Sequence, residues 1–265
     1  RPSVRAALDV SLELLPNGMC RDSFSMVGVL PVHVPLAVLS QLWQLRLGGS
    51  ASADELTAGQ SSVLLGSTGV EKMVAVLMRA GLLRQDVDEA RGELVGVVVH
   101  RVIGRYALTL LGDTAHVIHQ GMVDYYMNGV AVDDLDAHAW RRLPFWDVPD
   151  DGYWYDHVAR HVAEAGDLCG LVSVMDPAWK EARERMSSPL AFQADVEVVL
   201  ASLTAVVNDD THNVIRSPVL LGRVHAALAL AYEARIAGCR RINMEAAIVQ
   251  WKRALSLVVR ADDPP

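Results

Sequence analysis

The hydrophobic period of the chain changes twice between residues 81 and 100, and this limits the architectures it can adopt. Helical periodicity is strong over residues 70–80. Residues 81–87 and 93–99 then read as two strands, the second rich in β-branched side chains, joined by the polar loop Asp88-Glu-Ala-Arg-Gly92. From His100 the pattern is helical again. His100 therefore closes a buried strand and opens a helix. An imidazole there is either a core group with one satisfied hydrogen bond or a sensor that faces a ligand.

The elements before the hairpin are helical. Residues 4–15 place Val4, Ala7, Leu8, Leu12 and Leu15 on one face, and Pro16-Asn-Gly18 closes that helix. Residues 20–27 form a short second helix. Pro31 and Pro35 make residues 30–35 an extended connection, because a helix does not continue through two prolines so spaced. Pro35 is well placed to start a helix over 36–45, whose Leu36, Leu39, Leu42 and Trp43 form a stripe. A loop covers 48–53, and helical periodicity resumes over 53–65. Three or four helices followed by a hairpin describe a winged-helix domain over residues 1–112, with the hairpin as its wing.

Residues 113–150 read as a connecting helix, 113–126, and a linker with an irregular aromatic stretch at 133–146; the best boundary is Val148-Pro-Asp-Asp-Gly152. Residues 151–265 read as a helical arm, with helices over 153–165, 168–174, 177–186, 190–207, 219–237 and 244–259. Short helices in succession imply stacked antiparallel pairs. The expected class is mainly α: a winged helix followed by a stacked helical arm. Residues 225–260 resemble one tetratricopeptide repeat, with small Ala231 and Ala247 at the close approach; the last helix pair of the arm is the equal alternative.

Hydrophobic residues make up 51% and charged residues 21%, which suits a chain with a substantial core. The apolar runs 94–99 and 198–207 are short, and 23–45 is interrupted by Pro31, His33 and Pro35, so no membrane partner is expected. The start, Arg-Pro-Ser-Val-Arg, has no secretory hydrophobic region and no initiator Met, and the expectation is a segment of a longer protein. Cys20, Cys169 and Cys239 form no CxxC pair, which fits a reducing, cytoplasmic compartment. Net charge is −8. Residues 1–110 carry ten basic and ten acidic side chains, and 111–265 carry fourteen and twenty-two. Neither part has the clustered positive field that phosphate backbones require, which argues against nucleic acid.

The stretch Ser23-Phe-Ser-Met-Val-Gly-Val-Leu-Pro-Val-His-Val-Pro-Leu-Ala-Val-Leu-Ser-Gln-Leu-Trp43 resembles the winged-helix segment after the nucleotide-binding module of NB-ARC signal-transduction ATPases, the apoptotic protease-activating factor-like and plant resistance protein-like group. There a wing hairpin leads into a Met/Leu-His-Asp signature opening a helix, and Val99-His100-Arg101 stands in the matching place. Tyr153-Trp-Tyr-Asp-His157 and Met175-Asp-Pro-Ala-Trp-Lys180 resemble helices of the family's arm. The likeness spans residues 4–200. It implies a non-catalytic regulatory segment that helps hold the ADP-bound, closed state of an upstream module and relays change to a C-terminal repeat sensor, in cell-death or immune signalling. It implies ADP or ATP bound mainly outside this chain, a homo-oligomer on activation, and His100, with Arg101 beside it, as the group sensing the ADP phosphate. Arg101 replaces the family aspartate, and Gly81 stands where some relatives carry a serine.

Other constellations are weaker. His116/His119 and His157/His161 have i,i+3 and i,i+4 spacing, but lack further ligands and the Glu of a His-Glu-x-x-His motif, so no metal is expected. Asp133-Asp-Leu-Asp136 and Asp147 to Asp151 lack calcium-loop spacing and read as loop acids and helix caps. Gly48-Gly-Ser lacks the lysine of a phosphate-binding loop, and no nucleophile motif occurs, so the chain is not expected to be an enzyme. The alternative function is a winged-helix DNA-binding regulator with a helical effector domain. Its recognition helix, 70–80, would offer only Lys72 and Arg79.

Overall fold

Two side-chain caps start the first helices. Ser3 Oγ accepts from Ala6 N at 3.2 Å to begin α1 (Val4–Glu13), and Asn17 Oδ1 accepts from Cys20 N at 2.9 Å to begin α2 (Gly18–Met26). The computed structural model describes residues 3–49, 67–88, 93–128, 143–188, 190–208, 217–235 and 240–262. It is mainly α-helical, with a three-stranded antiparallel sheet. Contacts divide the chain into two units, Arg1–Tyr125 and Tyr126–Pro265.

In the first unit α2 runs through a 3₁₀ turn, Val27–Val29, into strand β1 (His33–Pro35), then α3 (Leu36–Gly49) and α4 (Ser67–Arg79). Strands β2 (Arg84–Asp88) and β3 (Glu93–Val98) follow, then α5 (Arg101–Leu111) and α6 (Ala115–Asn128), whose residues from Tyr126 on count with the second unit. The helix expected over 53–65 and the loop 89–92 lie outside the described residues. The hairpin has a third member. His33–Pro35, expected as a plain connection, pairs antiparallel with β3 in the register His33↔Val98 to Pro35↔Gly96, so the strand order is β1-β3-β2. Pro35 is tolerated because β1 is an edge strand. Gly96 is what lets β1 in: a Cβ there would stand 2.5 Å from Val34 O.

The core of this unit is aliphatic. Phe24, Met26, Val27, Val34, Leu39, Leu42, Leu77, Leu82 and Val97 are fully buried. Trp43 Nε1 donates to Ser23 O at 3.0 Å, and the Tyr106 hydroxyl donates to Asp9. Burial first, then that carboxylate, pushes the Tyr106 phenol up to about 12.

The second unit has α7 (Trp154–Ala165), α8 (Leu168–Val174), α9 (Pro177–Met186), α10 (Ala191–Asn208), α11 (Pro218–Ala234) and α12 (Arg240–Asp262). Asp167, Asp176 and Ser217 cap α8, α9 and α11, the last two followed by Pro at the first helical position. An aromatic cluster joins the segment before α7 to α9. Phe145 meets Trp154 edge-on at 5.6 Å, and Tyr155 stacks on Trp179 at 5.4 Å. The polar ends of these rings are satisfied: Trp154 Nε1 donates to Phe145 O at 3.0 Å and Tyr155 OH to Val148 O at 2.9 Å. Helices α11 and α12 form a pair, with Ala231 and Ala247 both buried and His225 Nδ1 2.6 Å from Gln250 Oε1.

The short apolar run expected at 198–207 belongs to a longer element. Helix α10, with mean hydropathy 1.3, is long and apolar enough to cross a bilayer on length and composition alone. Its Phe192, Asp195, Val196, Val199 and Leu203 are buried within the second unit.

Candidate functional site

Strand β3 delivers His100 to its position. Val99 is buried and its N–H donates to Val32 O at 2.7 Å, which ends the sheet. His100 follows with extended backbone, φ −63° and ψ 137°, and is the N-cap of α5. Its Nδ1 accepts from Val102 N at 3.2 Å, and its carbonyl accepts from Gly104 N at 2.9 Å. An accepting Nδ1 carries no proton, so the proton of the neutral ring is on Nε2. The residue is exposed, as is Arg101 beside it. The imidazole is therefore not among the aliphatic side chains that surround Val97 and Val99. One ring nitrogen holds the helix start; the other is left as a donor near the positive end of a helix dipole, with Arg101 the next residue in the chain. This set suits a phosphate oxygen.

Gly81 has φ +72°, a left-handed backbone that a serine adopts only with strain. A glycine at this position thus has a conformational reason.

The remaining candidates are dispersed. In α6, His116 is exposed and its Nδ1 lies against Asp113 O, while His119 is buried. In α7, His157 is half-buried, and burial lowers its basicity despite the nearby Asp156 carboxylate. His161 is buried, with Nε2 2.7 Å from Tyr153 OH. In each pair one imidazole is buried and the other is not. Among the described residues no three His, Cys, Asp or Glu side chains converge. Asp151 is a capping group: its carboxylate accepts from Tyr153 N at 2.9 Å, Trp154 N at 3.0 Å and Tyr126 OH at 2.5 Å. Asp133, Asp134, Asp136 and Trp140 lie outside the described residues.

A polar centre in the second unit has no counterpart among the expected sites. Arg183 of α9, almost fully buried, donates Nε to Asp195 Oδ2 of α10 at 3.2 Å and Nη1 to Asp156 Oδ1 of α7 at 2.6 Å. Trp179 Nε1 also donates to Asp195 Oδ2, at 3.0 Å, and Ser187 Oγ donates to Asp156 Oδ1 at 2.8 Å. Burial pushes Asp195 up to about 6 against the pull of Arg183. At Asp156 burial also acts upward, but hydrogen bonds from Ser187 and Arg183 outweigh it and lower the carboxyl. The three charges are far apart in the sequence, so only the packing of α7, α9 and α10 brings them together. With both carboxylates engaged by donors, the centre is a clamp between helices and leaves no group poised for chemistry.

Comparison of the chain with protein-family models, with curated proteins and with solved structures finds no significant match to any of them.

Proposed function

We propose that the chain is a regulatory and scaffolding part of an NB-ARC-type signalling ATPase, a winged-helix domain followed by a helical arm, acting in the cytoplasm without an active site of its own. The observation that carries the reading is the state of His100: exposed, with Nδ1 committed to the helix cap and the donor left on Nε2. The element order helix, β1, two helices, β2, β3 and the strand order β1-β3-β2 fit a winged helix. The resemblance of Val99-His100-Arg101 to the family signature supplies the ligand, the diphosphate of ADP held mainly by a module upstream. His100 Nε2 and the Arg101 guanidinium would hold a phosphate oxygen, stabilising the closed state. The arm, and a tetratricopeptide-like pair at α11 and α12, would carry the change to a C-terminal sensor and to neighbouring copies in an oligomer, as packed units with discrete arrangements.

The test is ADP retention by the parent protein. His100→Asn keeps an N-cap acceptor and removes the imidazole, so the helix start survives while the latch is lost. ADP affinity should fall about tenfold, the loss of one charge-assisted hydrogen bond. Unchanged affinity, or a parent sequence without a phosphate-binding lysine loop, ends the reading. The winged-helix DNA regulator shares the strand order, but α4 offers only Lys72 and Arg79 with Glu71 between its ends. Salt-dependent binding to random duplex DNA would favour it.

A further inference from the structure

Helix α4 borders two hollows on the first unit, and Arg79 lines both. One, about 470 Å³, has Val74, Ala75, Met78 and Leu94 as its walls, with Glu71 at its edge. The other, about 320 Å³, is bounded by Leu14, Pro16, Val76 and Ala80. Arg79 is exposed, and the described residues form no hydrogen bond or ion pair with it. A cation in the last turn of a helix complements the carbonyl ends, which accounts for the charge of Arg79. It does not account for an apolar hollow on either side, nor for Leu14 standing 69% exposed at one of them.

We propose that this surface docks a peptide segment of a partner protein in which an acidic side chain lies between two apolar ones. The carboxylate meets the Arg79 guanidinium, whose planar donors match its two oxygens. The flanking apolar side chains enter the hollows, and their burial takes water away from the ion pair and strengthens it. Charge selects the occupant. Roughly two turns from Arg79, about 12 Å along the helix, Glu71 and Lys72 offset each other, so Arg79 is the uncompensated charge of α4 and suits a single carboxylate better than a run of phosphates. A peptide with a single carboxylate meets Arg79 alone. The inference is independent of the role of His100, which lies at the start of a different helix.

The experiment uses the 265-residue chain and three blocked, fluorescein-labelled peptides with the core Leu-Ala-X-Ala-Leu, where X is Glu, Gln or Lys, read by fluorescence polarisation. The Glu peptide should bind about tenfold more tightly than the Lys peptide, with Gln between them. Arg79→Glu should reverse that order, and Ala75→Asp, at an exposed hollow wall, should weaken the Glu peptide. Both changes are on the surface, and far-ultraviolet dichroism shows whether the fold is kept. Equal binding of the three peptides, no binding of the Glu peptide at about 1 mM, or an order unchanged by Arg79→Glu overturns the proposal. So does a random DNA duplex that binds in preference to the peptides and is lost in Arg79→Glu.

Discussion

The two units solve the problem of a stable interior with different chemistry. The first is closed by aliphatic side chains around a small sheet, and its two buried polar aromatic side chains, Trp43 and Tyr106, each reach a partner. The second is closed by Trp154, Trp179, Tyr153 and Tyr155, and it encloses an ion pair, Arg183 with Asp195, whose side chains are each 5% exposed. An aliphatic interior tolerates changes that keep volume. A charged interior tolerates none that leave one partner alone. The first unit therefore depends on shape and the second on completeness of a network.

The sharpest way to break this contrast is Asp195→Ala. It leaves Arg183 Nε and Trp179 Nε1 buried without their acceptor, with Asp156 still on Nη1, and we expect a loss of about 3–5 kcal/mol. Trp43 is the one tryptophan of the first unit, so in a Trp43→Phe background tryptophan emission in urea follows the second unit. Replacing both partners, Arg183→Met with Asp195→Leu, should recover most of the loss. A double variant as unstable as the single would mean that the charge pair itself, and not its completeness, holds the helices. The counterpart in the first unit is Leu42→Ala, which opens a cavity in its buried core and should cost about 3 kcal/mol, followed as the difference in emission between chains with Trp43 and with Trp43→Phe. A cost below about 1 kcal/mol there would show that the first interior collapses readily and is held by less than its shape.

The same contrast explains what could be read from the sequence. Helices came from periodicity and breakers, which are local, and the caps the structure shows, Asp167, Asp176 before Pro177 and Ser217 before Pro218, lie within a few letters of those starts. The hairpin came from a change of period. Strand β1 is three residues long, too short for a period of two to register, and it is flanked by prolines that argue only against a helix. Its pairing depends on Gly96, sixty residues on, having no side chain. The clamp was invisible for the same reason. Arg183 sits on an exposed-looking helix, Pro177–Met186, amid Lys180, Glu181, Glu184 and Arg185, and nothing local separates it from them. The position of His100 between a strand end and a helix start was legible because both signals are local. Its capping bond to Val102 N was not anticipated.

Acidity sharpens the comparison further. Burial raises Asp195 from 3.8 to about 6, so the folded second unit holds a proton there that the unfolded chain has lost. Stability from this group is present below pH 4 and is lost as pH rises from about 4 to about 6, by at most about 3 kcal/mol. Asp156 is lowered, and its contribution has the opposite sense: present above the ordinary carboxylate range and lost as pH falls below it. Asp195→Asn removes the titration. The stability difference between wild type and this variant, from urea titrations at several pH values, should therefore shift against the wild type between pH 4 and 6 and be flat above. A flat difference across that window would mean that Asp195 stays ionised in the clamp, with Arg183 outweighing burial.

The smallest expected effect bears most on function. Among the described helices, α1, α2, α8, α9 and α11 are capped by Ser, Asn or Asp, the side chains best suited to the task, whereas α5 uses a histidine. His100→Ala should destabilise the first unit by about 1 kcal/mol, the worth of an ordinary cap. His100→Asn offers a more favourable cap acceptor and should leave stability equal to the wild type or a few tenths of a kcal/mol above it. If so, the imidazole is not there for the fold, since a better cap exists at no cost in volume or burial at an exposed position. Its retention is then explained by the outward Nε2 donor. If Asn instead destabilises the unit as much as Ala, the ring holds the helix by contacts that an amide does not supply. The imidazole is then structural, and the case for a phosphate latch loses its physical support.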